Sequence, residues 1–201
     1  LRSLIYFGAF VAAVLIGLYS ASSWATWLYA IHATPFGRTD PVLGRDIAFY
    51  LFRLPMLELV HGIALTTIIL TIGGVGGAHV AAGNLALDPL RGVIASHTAK
   101  RHLSLLAAAL LIVLAFGAWL RIPHLLTEQS GVVFGASYVD VHARMPAYRL
   151  LAVAALLGAA LAVYQSVSAR LLPIVWAIAL YVVVAVGGSV YAGIIQRFVV
   201  G

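Results

Sequence analysis

Five apolar stretches decide what this chain can fold into, because each comes close to or exceeds the roughly 20 residues that a helix needs to cross a hydrocarbon core. They run over about 4–31, 56–82, 103–120, 147–169 and 171–195. In lipid the backbone must satisfy its own hydrogen bonds, and runs of this length do so as helices. The expected fold is all-α: a polytopic transmembrane bundle of about five spans, forming one transmembrane domain over 1–201. Only 9% of the residues are charged and 63% are hydrophobic, against about 25% charged in an ordinary soluble domain. The net charge of +6 would suggest nucleic acid in a soluble protein, but here the basic residues lie in the loops between apolar runs. Lipid headgroups are therefore the expected partners, and nucleic acid is not. Cysteine is absent, which excludes disulfides, thiolate metal sites and a cysteine nucleophile. The first run is far longer than the core of a signal peptide and has no small-residue cleavage site after it. Because the chain opens on Leu1, a piece of a longer protein is expected.

Two connections are too charged for hydrocarbon and too apolar for bulk water. The first, FGRTDPVLGRDIAFYLFRLP at 36–55, sets Asp40, Arg45, Asp46 and Arg53 among aromatic and aliphatic residues, as expected of a segment at the membrane surface. Asp40 before Pro41 fits a helix start, since the carboxylate accepts from free N–H groups and proline needs no donor there. Gly44 can then end that turn; if residues from Arg45 onward are helical, Asp46, Tyr50 and Arg53 share one face, and Pro55 is expected to close the segment. The second excursion, 122–146, is longer than most connections in a compact bundle. If YVDVHAR is helical, Asp140 and Arg144 form an i,i+4 pair in the favourable order. If it is extended, Asp140 and His142 point the same way. With His124 and Glu128, four apart, they would then form a candidate divalent-metal set.

The spans carry few candidate sites. Gly73 and Gly77 are four apart, and Gly188, Ser189 and Gly193 recur in the last run; small residues at such spacing let helices approach closely in lipid. A phosphate-binding loop is a poor rival for the glycine cluster, since there is no preceding strand and no Lys-Ser/Thr. Glu58 and His61 share a helical face at the start of the second span, where ionisable groups are costly and mark function by default, although water reaches groups at the interface. His79 lies deeper among glycines. It could serve as an axial ligand to haem or another tetrapyrrole, or bond to a neighbouring helix, and no second histidine at matched depth is apparent. His97 and His102 flank Lys100 and Arg101 and read as headgroup contacts. Glu58, His61 and His79 form a thin polar path along one helix, and a protein neighbour is expected to face them rather than a continuous hydrated channel. Nothing positions a Ser/His/Asp triad or a catalytic carboxylate pair.

Five spans put the two ends on opposite sides. Basic density favours the Leu1 side as cytoplasmic while the raw Lys/Arg count slightly favours the other, so the positive-inside rule decides little. The stretches DPVLGRDIAFYLFRLP, RHLSLL, GVVFGASYVDVHARMPAYRLLAV and QRFVV, in that order, resemble a bacterial family of uncharacterised membrane proteins with about seven spans and a large extracytoplasmic domain. The resemblance implies that this chain corresponds to the last five spans in the bacterial cytoplasmic membrane. The Leu1 end is then cytoplasmic, and both excursions and the Gly201 end are extracytoplasmic. It carries no established activity. The leading expectation is a non-enzymatic structural or accessory subunit that packs against other membrane protein subunits or anchors an extracytoplasmic domain. A transporter module using the second span, and a metalloprotein using Asp140 and His142, are the alternatives.

Overall fold

The computed structural model describes residues 2–88, 92–130, 133–167, 172–195 and 197. Among them are six α-helices: α1 (Arg2–Ser22), α2 (Trp24–Ile31), α3 (Leu54–Ala81), α4 (His97–His124), α5 (Met145–Val167) and α6 (Leu172–Ile195). Two small antiparallel hairpins interrupt them, β1 (Leu85–Asp88) with β2 (Gly92–Ala95), and β3 (Gln129–Ser130) with β4 (Val133–Phe134). Four helical stretches are long and apolar enough to cross a membrane: Ile5–Ser22, Phe49–Ala81, His97–His124 and Asp140–Val167. The helix α6 is apolar along its whole length, LPIVWAIALYVVVAVGGSVYAGII. The molecule is an all-α, multi-pass membrane bundle. The expected turn between the last two spans falls partly on 168–171, outside the described residues.

Local sequence explains three departures from the expected spans. The first run is not one helix but breaks at Ser23, between α1 and α2. The Ser22 and Ser23 hydroxyls both donate to the Tyr19 carbonyl, at 2.8 and 3.2 Å, and such back-bonding competes with the helical ladder. The third run extends outward to both sides of its apolar core. Its start at His97 is fixed by Ser96, whose hydroxyl accepts from the Ala99 N–H at 3.2 Å, an N-cap.

The third departure is that Pro55 does not close the first excursion. The helix runs through it, because residues Phe49–Arg53 form a π turn in which the Leu54 N–H donates to the Phe49 carbonyl, five residues back. Widening the helix there relieves the clash that a proline ring otherwise makes with the carbonyl four residues earlier. The same device recurs before Pro146. Asp140–Arg144 is a π turn, and the Met145 N–H donates to the Asp140 carbonyl. Each excursion thus enters its span through a π turn ending in Arg-x-Pro.

The most extensive packing is between α4 and α5. Ala108 and Leu111 of α4 meet Ala159 and Ala162 of α5 in a buried cluster, with Leu114 against it. Lipid is as apolar as leucine, so helices here associate through close van der Waals contact, and alanine allows it. This alanine seam was not singled out from the sequence. Of the glycines that were, Gly188 comes close to α5, where a Cβ built on it would lie 2.8 Å from the Ala147 Cβ. Gly73, Gly77 and Gly193 have nothing within 4 Å of that position, and the Ser189 hydroxyl donates to the Val186 carbonyl at 2.8 Å.

The excursions pack on one another at one end of the bundle. Leu43 of the first lies against Ile122, Leu125 and Met145 of the second. At the opposite end of α3 and α4 stands the β1–β2 hairpin.

Candidate functional site

All three ionisable side chains expected along the second span turn toward α4. Glu58 accepts from His124 Nδ1 at 2.7 Å, and His124 Nε2 lies 3.3 Å from Glu128, so one imidazole bridges two carboxylates. One turn deeper, the His61 ring lies on Gly117. A Cβ there would fall against His61 Nε2 and 2.8 Å from Cε1, so glycine leaves room for the ring where it now lies. His61 Nε2 is buried without a hydrogen-bond partner. Toward the β1–β2 hairpin, His79, only 9% exposed, has its Nε2 3.2 Å from His102 Nδ1. His102, expected at the headgroups, is thus the second histidine that sequence did not reveal. Their ring centroids are 5.4 Å apart, so the two nitrogens meet nearly head-on, as in a hydrogen bond with one shared proton.

Glu58 and His61 also border an open cavity of about 460 Å³. It is lined by Arg121 and His124, by Tyr148 and Tyr181, and by leucines of α4 and α5, and His79 is not among its lining residues. The polar residues of α3 therefore belong to two separate places, one at each end. Among the described residues Arg121 makes no ion pair. Gly117, Tyr148 and Tyr181 were missed from sequence. An antiparallel pairing of the second and third runs would have pointed to the α4 side of this site, since it sets the start of one against the end of the other.

In the first excursion, Asp40 and Asp46 organise the backbone rather than pairing with arginines. Asp40 accepts from the N–H groups of Val42, Leu43 and Arg45 and from the Tyr50 hydroxyl, at 2.6 to 2.8 Å. Asp46 accepts from Phe36, Gly37 and Ala48 N–H groups at 2.8 to 3.0 Å. Burial pushes the Asp40 carboxyl up, but the hydrogen bonds from Leu43, Tyr50, Arg45 and Val42 outweigh it and hold the group below the ordinary carboxylate range. Asp46 is held low chiefly by the Phe36 and Ala48 N–H groups. The chain turns over 41–43 and reverses at Gly44, whose φ of +65° suits glycine. Arg45 lies over Phe49 and Trp119, 4.3 and 5.3 Å from the ring centres, tying the loop to α4. Arg53 is exposed beside a small pocket that it shares with Asp46.

In the second excursion the extended conformation needed to aim Asp140 and His142 together is not adopted, because 140–144 is helical. Asp140, 1% exposed, accepts from Arg144 at 2.8 Å and from the Ser137 N–H and hydroxyl at 2.8 and 2.7 Å. His142 is on the outside, stacked on Tyr138. Of their companions in the expected metal set, His124 is engaged with Glu58 as well as with Glu128, away from Asp140 and His142. Among the described residues no group of three or more histidines and carboxylates is placed to hold a metal ion.

The comparisons with known proteins place the chain. The model of an uncharacterised protein family, UPF0182, matches residues 1–201. A UPF0182 protein of Pelobacter propionicus is 37% identical over 193 residues, covering 94% of this chain and 21% of the relative. Similar relatives are a UPF0182 protein of Kocuria rhizophila, 38% identical over 192 residues (92% of this chain, 19% of the relative), and one of Geobacter sulfurreducens, 34% identical over 191 residues (94% and 21%). The chain spans about a fifth of the length of these relatives. No solved structure matches it. With its whole length matched and its membrane helices in place, this chain belongs to the UPF0182 family of uncharacterised proteins.

Proposed function

We propose that this chain is a non-catalytic membrane module that anchors a longer UPF0182 protein and packs against that protein's remaining spans. The observation that carries this reading is an uncovered face. None of the Ile5–Ser22 window is buried, and Gly73 and Gly77 of α3 present open space. Glycines at this spacing suit close helix contact in lipid, where packing rather than hydrophobicity drives association. The occupants are the two leading spans implied by the resemblance, in the bacterial cytoplasmic membrane with the Leu1 end inside. The test is cysteine cross-linking in the full-length protein from which any native cysteines have been removed. Gly73→Cys or Gly77→Cys is expected to cross-link to cysteines in a preceding span of the same polypeptide. Cross-linking to a separate polypeptide instead would make the module an accessory subunit of a larger complex, and modification by lipid-soluble reagents alone would overturn the packing role.

A transport module is the second reading, favoured by the cavity at Glu58 and His61. Flux in reconstituted vesicles, abolished in Glu58→Gln and His61→Ala, would support it over anchoring.

A further inference from the structure

We infer that the cavity between α3, α4, α5 and α6 binds the phosphate headgroup of a phospholipid, with Arg121 as its main ligand. Charge comes first. Glu58 and Glu128 are both engaged with His124, at 2.7 and 3.3 Å, whereas Arg121 lines the cavity without an ion pair among the described residues. A guanidinium is always charged, and its planar fork of donors matches the oxygens of a phosphate.

Hydroxyl donors come next. Tyr148 and Tyr181 line the same cavity, and neither hydroxyl bonds to another described residue. At about 460 Å³ the space is in the range of small-molecule sites. Leu114, Leu120 and Leu151 add aliphatic lining, which suits the first methylenes of an acyl chain.

Position argues for a lipid over a soluble ester. The charged lining, Glu58, Arg121 and His124, comes from the start of α3 and the end of α4, where the spans meet the excursions and therefore the headgroup layer, while Leu114 and Tyr181 carry the cavity inward along the spans. Glu58 also lines the cavity, with its carboxylate engaged by His124 Nδ1 at 2.7 Å.

The test uses the full-length protein, delipidated in mild detergent, with thermal unfolding followed as phosphatidylglycerol is added. A saturable rise in Tm is expected, with apparent affinity falling roughly ten- to a hundredfold in Arg121→Gln, the loss of a charge-assisted hydrogen bond. Tyr148→Phe should weaken binding severalfold, and Arg121→Lys should recover part of the Arg121→Gln loss. A glycolipid with the same acyl chains and no phosphate should give no saturable shift. An unchanged affinity in Arg121→Gln, or an equal response to the glycolipid, overturns the inference. If glycerol phosphate alone gives the full shift, the site takes a soluble phosphate ester and the lipid assignment fails. Should Arg121→Gln not fold, Arg121→Lys and Tyr148→Phe still decide the outcome.

Discussion

A methyl group on Gly117 would enter space that the His61 ring already fills. Gly117→Ala is therefore expected to destabilise the bundle by about 1–3 kcal/mol, the cost of overpacking. Most of that loss should vanish when His61→Ala is added, a coupling that thermal unfolding of the four proteins in the cycle measures. Asp140 sits at the other extreme, fully buried and held by an arginine and a serine. Asp140→Ala leaves those donors unmatched and is expected to cost about 3 kcal/mol by the same measurement. The Asp140–Arg144 pair was legible because both residues lie on one helical turn, where spacing alone sets contact. Glu58, His61 and His79 were legible as costly polar groups in an apolar run, but their partners were not. Pairing across two helices depends on register, and no local rule of sequence fixes it.

Among the elements, the spans were visible as runs of hydrophobicity, while their ends were set by effects that hydrophobicity does not see. Serine back-bonding divides α1 from α2, and a π turn carries α3 through Pro55. The alanine seam between α4 and α5 escaped notice because alanine is common throughout such helices and only its stacking on a partner distinguishes it. Ala159→Leu is expected to force that seam apart and destabilise the protein by about 1–3 kcal/mol in thermal unfolding. The first excursion has a different sensitivity. Asp40 and Asp46 are held below their usual range in the folded chain. Their contribution is thus fully present above the unfolded carboxyl value near 3.8 and is lost as pH falls through the lower folded values. Hydrogen exchange at 36–48 is expected to accelerate relative to α4 once pH drops below about 3.8. Equal acceleration in both segments would argue against a role for these carboxylates.

At the scale of the whole molecule, the proposed orientation puts the two packed excursions outside the cell and the β1–β2 hairpin inside. Thr127→Cys in intact cells should react with a membrane-impermeant maleimide, and Ala82→Cys only after permeabilisation; the reverse pattern would invert the topology. The three contacts that α3 makes with α4 through Glu58, His61 and His79 reach from one end of the helix to the other. A shift of one residue rotates a helix by about 100°, which would carry all three side chains off their partners together. The two helices consequently have a single indexed alignment, with no shallow gradient of neighbouring ones. Sliding α3 along α4 must therefore break all three contacts in a single step.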